Sequence, residues 1–327
     1  MKQLIDPFGR KIEYLRISVT DRCDLRCSYC MSEDVEFLPR QDILSFEEIL
    51  RLAKSFAQLG VSKIRITGGE PLMRKKLPEL IASIKAIEGI EEVVITTNGT
   101  LLTQYAKPLY EAGLSRLNIS LDTLIPERFQ QLTRRDRLQA VLDGIAEAKK
   151  YPFDSIKLNA VVMKGMNDDE IIALTDYAID NDIDITFIEE MPLGEVGYDR
   201  SVTFLSSADI KAVIEEKYPL KASSYKTGGP AVYSSIEDQK TRIGFISPHS
   251  NNFCSDCNRV RITAVGRLLL CLGNENSQDL RTIMRAGCSD EKLTQHLISA
   301  LQLKPEKHDF NLAEEVQILR FMSHTGG

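Results

Sequence analysis

The 327-residue chain has no apolar run approaching the ~20 residues that a membrane-spanning helix needs. The opening Met1-Lys2-Gln3-Leu4-Ile5-Asp6 does not read as a signal peptide. Positive charge is not in surplus: 41 Lys and Arg against 47 Asp and Glu leave −6. That balance argues against a generic nucleic-acid coat or a polybasic membrane binder, while leaving room for a locally basic pocket. Low-complexity tracts are absent. With 43% apolar and 27% charged residues, a disordered or collagen-like chain is excluded and a soluble globular enzyme is expected. Seven cysteines are present, an odd number, and a leaderless chain of this size does not suit a disulfide framework. They fall at 23, 27 and 30, at 254, 257 and 271, and singly at 288. The expectation is a cytoplasmic enzyme whose cysteines hold metal.

Periodicity divides the chain near residue 220. Before it, β-branched or apolar runs at Tyr14–Val19, Lys63–Thr67, Glu92–Thr97, Ser115–Leu121, Ser155–Val162 and Asp184–Glu189 predict six strands. Segments of helical spacing separate them. One is predicted from Ser45, with Glu48 completing a capping box, to Gly60; others are predicted over Asp168–Asn181 and Ser206–Tyr218. Alternating strands and helices imply a parallel sheet with right-handed crossovers. Six units make either an open doubly wound sheet or an incomplete (β/α)6 TIM-type barrel. In both, reactive residues belong just past the carboxyl ends of the strands. After residue 220 an α+β extension is expected, with strands over Ala231–Ile236 and Thr241–Ser247, and a hairpin of Arg259–Thr263 and Arg267–Leu272 turning at Val265-Gly266. Helical segments follow from Leu280–Ala286 to about Met322, and Ser323–Gly327 reads as a frayed end. Two domains result: residues 1–220 and 221–327.

Cys23-x3-Cys27-x2-Cys30 lies in the loop after the first strand, at the catalytic end of such a barrel. Three thiolates hold three irons of a 4Fe–4S cube and leave one iron open to a small molecule. A structural zinc ion would want a fourth ligand, and no Cys or His is close by. The segment Asp21-Arg22-Cys23-Asp24-Leu25-Arg26-Cys27-Ser28-Tyr29-Cys30-Met31 resembles the signature of the radical S-adenosylmethionine superfamily. The resemblance implies S-adenosylmethionine on the open iron and Tyr29 packed by its adenine. It also implies that the backbone of Gly69, in Gly68-Gly69-Glu70-Pro71, meets the methionine amino group. Ser120 and Met191, at the ends of the fourth and sixth strands, match further cofactor contacts. Two adjacent glycines also suit a tight turn, and Met191 also suits core filling.

Cys254-x2-Cys257-x13-Cys271 is a second triplet, with His249 as the one nearby fourth ligand if the site were zinc. Cys254-Ser255-Asp256-Cys257-Asn258-Arg259-Val260-Arg261-Ile262-Thr263, with Gly244-Phe245-Ile246-Ser247-Pro248 before it and the terminal Gly326-Gly327, resembles the GTP 3′,8-cyclase family, which opens molybdenum cofactor biosynthesis. Asp24, Ser32 and Thr325 depart from the family's usual Asn, Pro and Ile without removing a ligand.

What the resemblance implies is concrete. An electron from the first cluster cleaves S-adenosylmethionine, and the resulting radical removes the ribose C3′ hydrogen of GTP. C3′ then attacks guanine C8, and an electron and a proton quench the product radical to give (8S)-3′,8-cyclo-7,8-dihydroguanosine 5′-triphosphate. A second 4Fe–4S cluster on Cys254, Cys257 and Cys271 holds the guanine edge. A triphosphate carries about four negative charges and asks for cations, ideally Arg. Arg16, Arg65, Lys157, Arg259 and Arg261 are the candidate cations, with Lys63 and Arg74 as extras outside the main set, and the resemblance adds Thr96 and Val260 as substrate contacts. A single Arg on a barrel strand more often points outward into salt bridges, but several together favour a pocket. Arg259 and Arg261 also assist the quench of the product radical, and the Gly326-Gly327 tail reaches into the site. GTP, a low-potential electron donor and a homodimer partner are expected; nucleic acid and membrane are not. The alternatives are a peptide-modifying radical enzyme with an auxiliary cluster, and a metal-stabilised binding protein without turnover. Cys288 reads as a structural thiol.

Overall fold

The computed structural model describes residues 3–311 and 318–326. Six parallel strands, β1 (Tyr14–Ser18), β2 (Lys63–Thr67), β3 (Glu92–Thr97), β4 (Arg116–Ser120), β5 (Ser155–Val162) and β6 (Asp184–Glu189), stand in chain order. Each is followed by a helix that crosses back over the sheet, as the βα repeat requires. The first, Phe46–Gln58, starts at a capping box in which the Ser45 hydroxyl accepts from the Glu48 N–H while the Glu48 carboxylate accepts from the Ser45 N–H. Ser206 and Asp209 form a second complete box ahead of Ser207–Glu215. The expected helix over Asp168–Asn181 begins instead as a 3-10 turn, Asp168–Glu170, and continues as Ile171–Asp180.

The C-terminal strands are β7 (Leu220–Ala222), β8 (Val232–Ile236), β9 (Arg242–Ile246), β10 (Arg259–Ile262), β11 (Arg267–Leu269) and β12 (Ser277–Asp279). They extend the same sheet at both edges, in the order β12-β11-β10-β1-β2-β3-β4-β5-β6-β9-β8-β7. β10 pairs in parallel with β1, and β9 in parallel with β6. The predicted hairpin is present, antiparallel, with Gly266 at φ +77 in the turn. Because β9 and β10 do not pair, the barrel stays incomplete. Helix Asp290–Leu301 packs on Phe46–Gln58, and a single helical turn, Met322–Thr325, ends the described chain.

Side chains alternate across a strand, and here the two faces differ sharply. Leu15, Ile17, Ile64, Ile66, Val93, Ile95, Leu117, Ile119, Leu158 and Ala160 enter one hydrophobic core beneath the helices. Tyr14, Arg16, Arg65, Thr96, Asn118, Ser120, Lys157 and Asn159, on the opposite face, line the barrel interior. The interior of this barrel is therefore polar, and Arg16 and Arg65 point in.

Candidate active site

The first cysteine triplet is held by backbone contacts made between loops. Cys30 N–H donates to the Cys27 carbonyl (2.9 Å), while Arg26 N–H and Ser28 N–H reach the Thr133 and Leu132 carbonyls (both 2.9 Å). The loop after β2 lies directly on the loop after β1: Gly69 N–H donates to Thr20 O (2.7 Å) and Glu70 N–H to Arg22 O (2.6 Å). A Cβ on Gly69 would stand 2.5 Å from both the Arg22 and Asp21 carbonyl oxygens. Glycine is required there by backbone approach, a stricter reason than a tight turn. The buried Glu70 carboxylate accepts from Thr97 Oγ1 (2.7 Å), Asn98 N–H (2.6 Å) and Leu72 N–H (3.0 Å), tying the third strand end to the same loops. Burial raises its pKa to about 7 against these bonds. Tyr29 donates its hydroxyl to Asp122 Oδ2 (2.6 Å), and Asp24, the departure from Asn, accepts from Asn98 Nδ2 (2.7 Å) and Thr100 Oγ1 (2.6 Å).

All six cysteines of the two triplets line one cavity, together with Tyr29, Gly69, Ser120 and Met191. Met191 is half-buried just past β6, at the cavity wall rather than in the core. Arg16, Arg65, Thr96, Lys157, Arg259 and Arg261 line the same space. Val260 borders it too, but its side chain belongs to the hydrophobic core, so only its main chain faces the cavity. The extras are engaged elsewhere: Lys63 pairs with Glu92 (2.7 Å), and Arg74 donates to the Val19 and Leu44 carbonyls.

Register explains why the cations cluster. Arg16 on β1 lies beside Arg261 on β10 and Arg65 on β2, three guanidinium side chains on adjacent strands at one level. Arg65 Nη1 donates to Thr96 Oγ1 (2.8 Å) and its Nε to the Tyr14 hydroxyl; Lys157 Nζ donates to the Tyr233 hydroxyl (3.0 Å). Burial, then Arg261, pushes Arg16 well down. Burial, then Arg259, lowers Arg261 to about 10; burial, then Arg65, lowers Lys157 to about 7. Burial alone would raise the Tyr14 phenol, yet Arg65, Arg16 and Lys63 outweigh it and bring it down to about 7. Two causes act together on the three cations, burial first and the neighbouring positive charges second, while in Tyr14 the neighbouring cations oppose burial and win. Tyr14, Asn118 and Asn159 are cavity residues that sequence reasoning missed; their signal was the period-2 alternation with the recognised positions on the same strands.

The second triplet lines the same cavity. Cys254 and Cys257 flank a 3-10 turn, Cys254–Asp256, and Cys271 follows β11 two residues on. His249 does not join them: its Nε2 is 3.0 Å from the Glu190 carbonyl oxygen and its ring meets Phe204 edge-on. His308 lines the cavity instead. Among the described residues no three Cys, His, Asp or Glu side chains close tightly enough to hold a single metal ion. The donor sets are thus two sets of three free thiols opening on a shared cavity, which suits a metal–sulfur cube spanning each set. Burial, then Glu70, holds the Cys23 thiol up, and burial, then Cys30, does the same for Cys27; such thiols ionise only beside a cation. Cys288 stands apart, its carbonyl accepting from Arg51.

The chain end is not frayed. Ile318 bridges Leu193, Thr325 and Gly326 are buried, and the Gly326 carbonyl accepts from Arg261 Nη1 (2.6 Å). Gly327 lies outside the described residues.

The Radical SAM superfamily matches residues 17–178, and the Molybdenum Cofactor Synthesis C family matches residues 183–310. GTP 3′,8-cyclase 2 of Pseudomonas aeruginosa is 55% identical over 327 residues, 99% of this chain and 99% of its own length. The GTP 3′,8-cyclase of Saccharophagus degradans is 54% identical over 326 residues, 99% and 98% of the two chains. Among solved structures, SuiB of Streptococcus suis bound to S-adenosylmethionine has a TM-score of 0.62 at 18% identity, over 96% of this chain and 77% of that one, a likeness of fold. With more than half the residues identical from end to end, the chain belongs to the GTP 3′,8-cyclase family of radical S-adenosylmethionine enzymes.

Proposed function

We propose that this chain cyclises GTP to (8S)-3′,8-cyclo-7,8-dihydroguanosine 5′-triphosphate, with the cofactor at the Cys23, Cys27 and Cys30 end of the cavity and GTP at the other. The observation that supports it is the opening of both triplets and the cation row on one cavity. When bound, a reduced 4Fe–4S cluster with S-adenosylmethionine would supply the 5′-deoxyadenosyl radical that takes the ribose C3′ hydrogen; C3′ would then bond to guanine C8, and an electron from the external donor with a proton would complete the dihydro product. The chain's own residues do the rest by binding and orientation. Tyr29, Gly69, Ser120 and Met191 hold the cofactor. Arg16, Arg65, Lys157, Arg259 and Arg261 receive the triphosphate, with Thr96 and the Val260 main chain beside them. A polyanion relieves their mutual repulsion, so the clustered cations favour a substrate of high negative charge. Cys254, Cys257 and Cys271 hold a second 4Fe–4S cluster that orients the guanine. Gly326 brings a backbone without a side chain against Arg261, and Gly327 completes the diglycine tail, to which we assign a part in catalysis.

In this reading residues 1–220 form the radical partial barrel and residues 221–327 the cluster- and substrate-binding region. An external low-potential electron donor, a homodimer and a cytoplasmic location complete it, with no nucleic acid involved. Family-wide identity favours neither the peptide-modifying nor the binding-protein alternative.

The test is anaerobic reconstitution followed by reductant, S-adenosylmethionine and GTP. About eight irons per chain, 5′-deoxyadenosine and the cyclised nucleotide by mass spectrometry are expected. Cofactor cleavage that leaves GTP unconsumed refutes the substrate assignment.

A further inference from the structure

Lys304 is 3% exposed, a burial that lysine tolerates only when its charge is met. Its Nζ lies 3.5 Å from Cys257 Sγ and 3.2 Å from the Arg259 carbonyl oxygen, and donates also to the Leu270 carbonyl. These contacts use the donors of an ammonium group. Two of the three acceptors are neutral carbonyls. Among the described residues no carboxylate forms an ion pair with Lys304, so the one partner able to carry a full negative charge is the Cys257 sulfur.

The neighbouring cation behaves differently. Arg10 also braces this loop, donating Nη1 to the Cys254 carbonyl (2.8 Å) and Nη2 to the Pro305 carbonyl (2.6 Å). Its guanidinium, however, is already paired with the buried Asp6 carboxylate. Arg259 also stands close by, over the Phe253 ring and on the cavity wall; what sets Lys304 apart is that its ammonium bonds a sulfur of the triplet directly. In the first triplet, Cys23 Sγ lies near the neutral Leu25 N–H (3.4 Å) and Asn98 Nδ2 (3.8 Å), with the Asp24 carboxylate on that same Asn98.

We infer that Lys304 is a positioning residue for the second cluster, donating a charged N–H···S bond to the Cys257 ligand and raising that cluster's reduction potential. The inference rests on the reading that Cys254, Cys257 and Cys271 hold a cluster. Hydrogen bonds to ligand sulfur and nearby net charge set the potentials of such centres, and a fixed positive charge favours the more negative, reduced state. The same ammonium spans both arms of the hairpin, from Arg259 to Leu270, and so also sets where Cys271 begins.

The experiment uses the full chain carrying Cys23→Ala, Cys27→Ala and Cys30→Ala, reconstituted with iron and sulfide, so that only the second cluster is read. Iron content and the midpoint potential by EPR-monitored titration are compared for Lys304, Lys304→Met and Lys304→Arg. Expected is a potential shifted to more negative values in Lys304→Met and restored toward the parent in Lys304→Arg. Should Lys304→Met fail to retain iron, retention in Lys304→Arg supports the assignment, because the charge is what the two variants do not share. An assembled cluster with unchanged potential in Lys304→Met overturns the assignment and leaves the cluster standing. Iron lost from both variants overturns it in favour of a lysine needed only for the fold. A parent that binds no iron overturns the second cluster itself, and this assignment with it.

Discussion

Gly326→Ala tests whether the docked tail matters to the chemistry. The residue sits at φ +78, where an L side chain is strained by about 1–2 kcal/mol. An added Cβ would overlap Thr67 Oγ1 and stand 3.1 Å from Thr67 Cβ and 3.3 Å from Ser18 Cβ. Ser18 and Thr67 are paired strand residues at 0% and 1% exposure, so the tail is what must move. Moving it breaks the bond from Arg261 Nη1, a charged hydrogen bond of about 1.5–3 kcal/mol. At ~1.4 kcal/mol per decade, the docked population falls between roughly a hundredfold and several thousandfold. The expected variant keeps both clusters, cleaves S-adenosylmethionine and makes little cyclised product, with its melting temperature hardly changed because one helical turn is all that detaches. Iron content, 5′-deoxyadenosine and the cyclic nucleotide are measured on one preparation. A second substitution, Thr67→Ala, removes the overlapping oxygen and is expected to restore part of the activity. Cyclisation at the parent rate in Gly326→Ala alone would refute the reasoning.

Two other substitutions probe the opposite ends of the cavity. Gly69→Ala places a methyl 2.5 Å from two main-chain oxygens of the Cys23 loop, and is expected to abolish S-adenosylmethionine binding in equilibrium dialysis while the barrel folds; normal binding would contradict the close-approach argument. Burial and Arg65 bring Lys157 down to about 7, and against burial the neighbouring cations bring Tyr14 down to about 7; a bound polyanion raises both values. GTP binding above pH 7 therefore takes up protons, up to about two, and affinity weakens as pH rises. Lys157→Met is expected to halve that uptake in calorimetry across buffers of different ionisation heat, and an undiminished uptake would dismiss Lys157 as the titrating group.

How much of this was legible in the sequence depended on how far apart the partners lie along the chain. The capping boxes at Ser45 and Ser206, the six barrel strands and the Cys23 loop are local patterns, and each formed where its spacing predicts. The inward turn of Arg16 and Arg65 is semi-local: alternation says that the two share a face, but not which face meets the helices. What settles it is Ile17 and Ile66, which claim the core side and force the guanidinium groups inward. Arg261 joins them because β10 pairs with β1, a register that no periodicity encodes. The same distance hid Lys304, 47 residues from Cys257, and Arg10, 244 from Cys254. Conversely, His249 is near Cys254 in sequence but spends its ring nitrogen on Glu190, an acceptor brought to it by the parallel pairing of β6 with β9. Proximity along the chain identified the two cysteine triplets, whereas the charged groups around them come from wherever the sheet order delivers them. Net charge is blind to this arrangement: the chain carries −6 overall, yet its cavity is lined by Arg16, Arg65, Lys157, Arg259 and Arg261, local positive charge that a sum over the whole chain cancels.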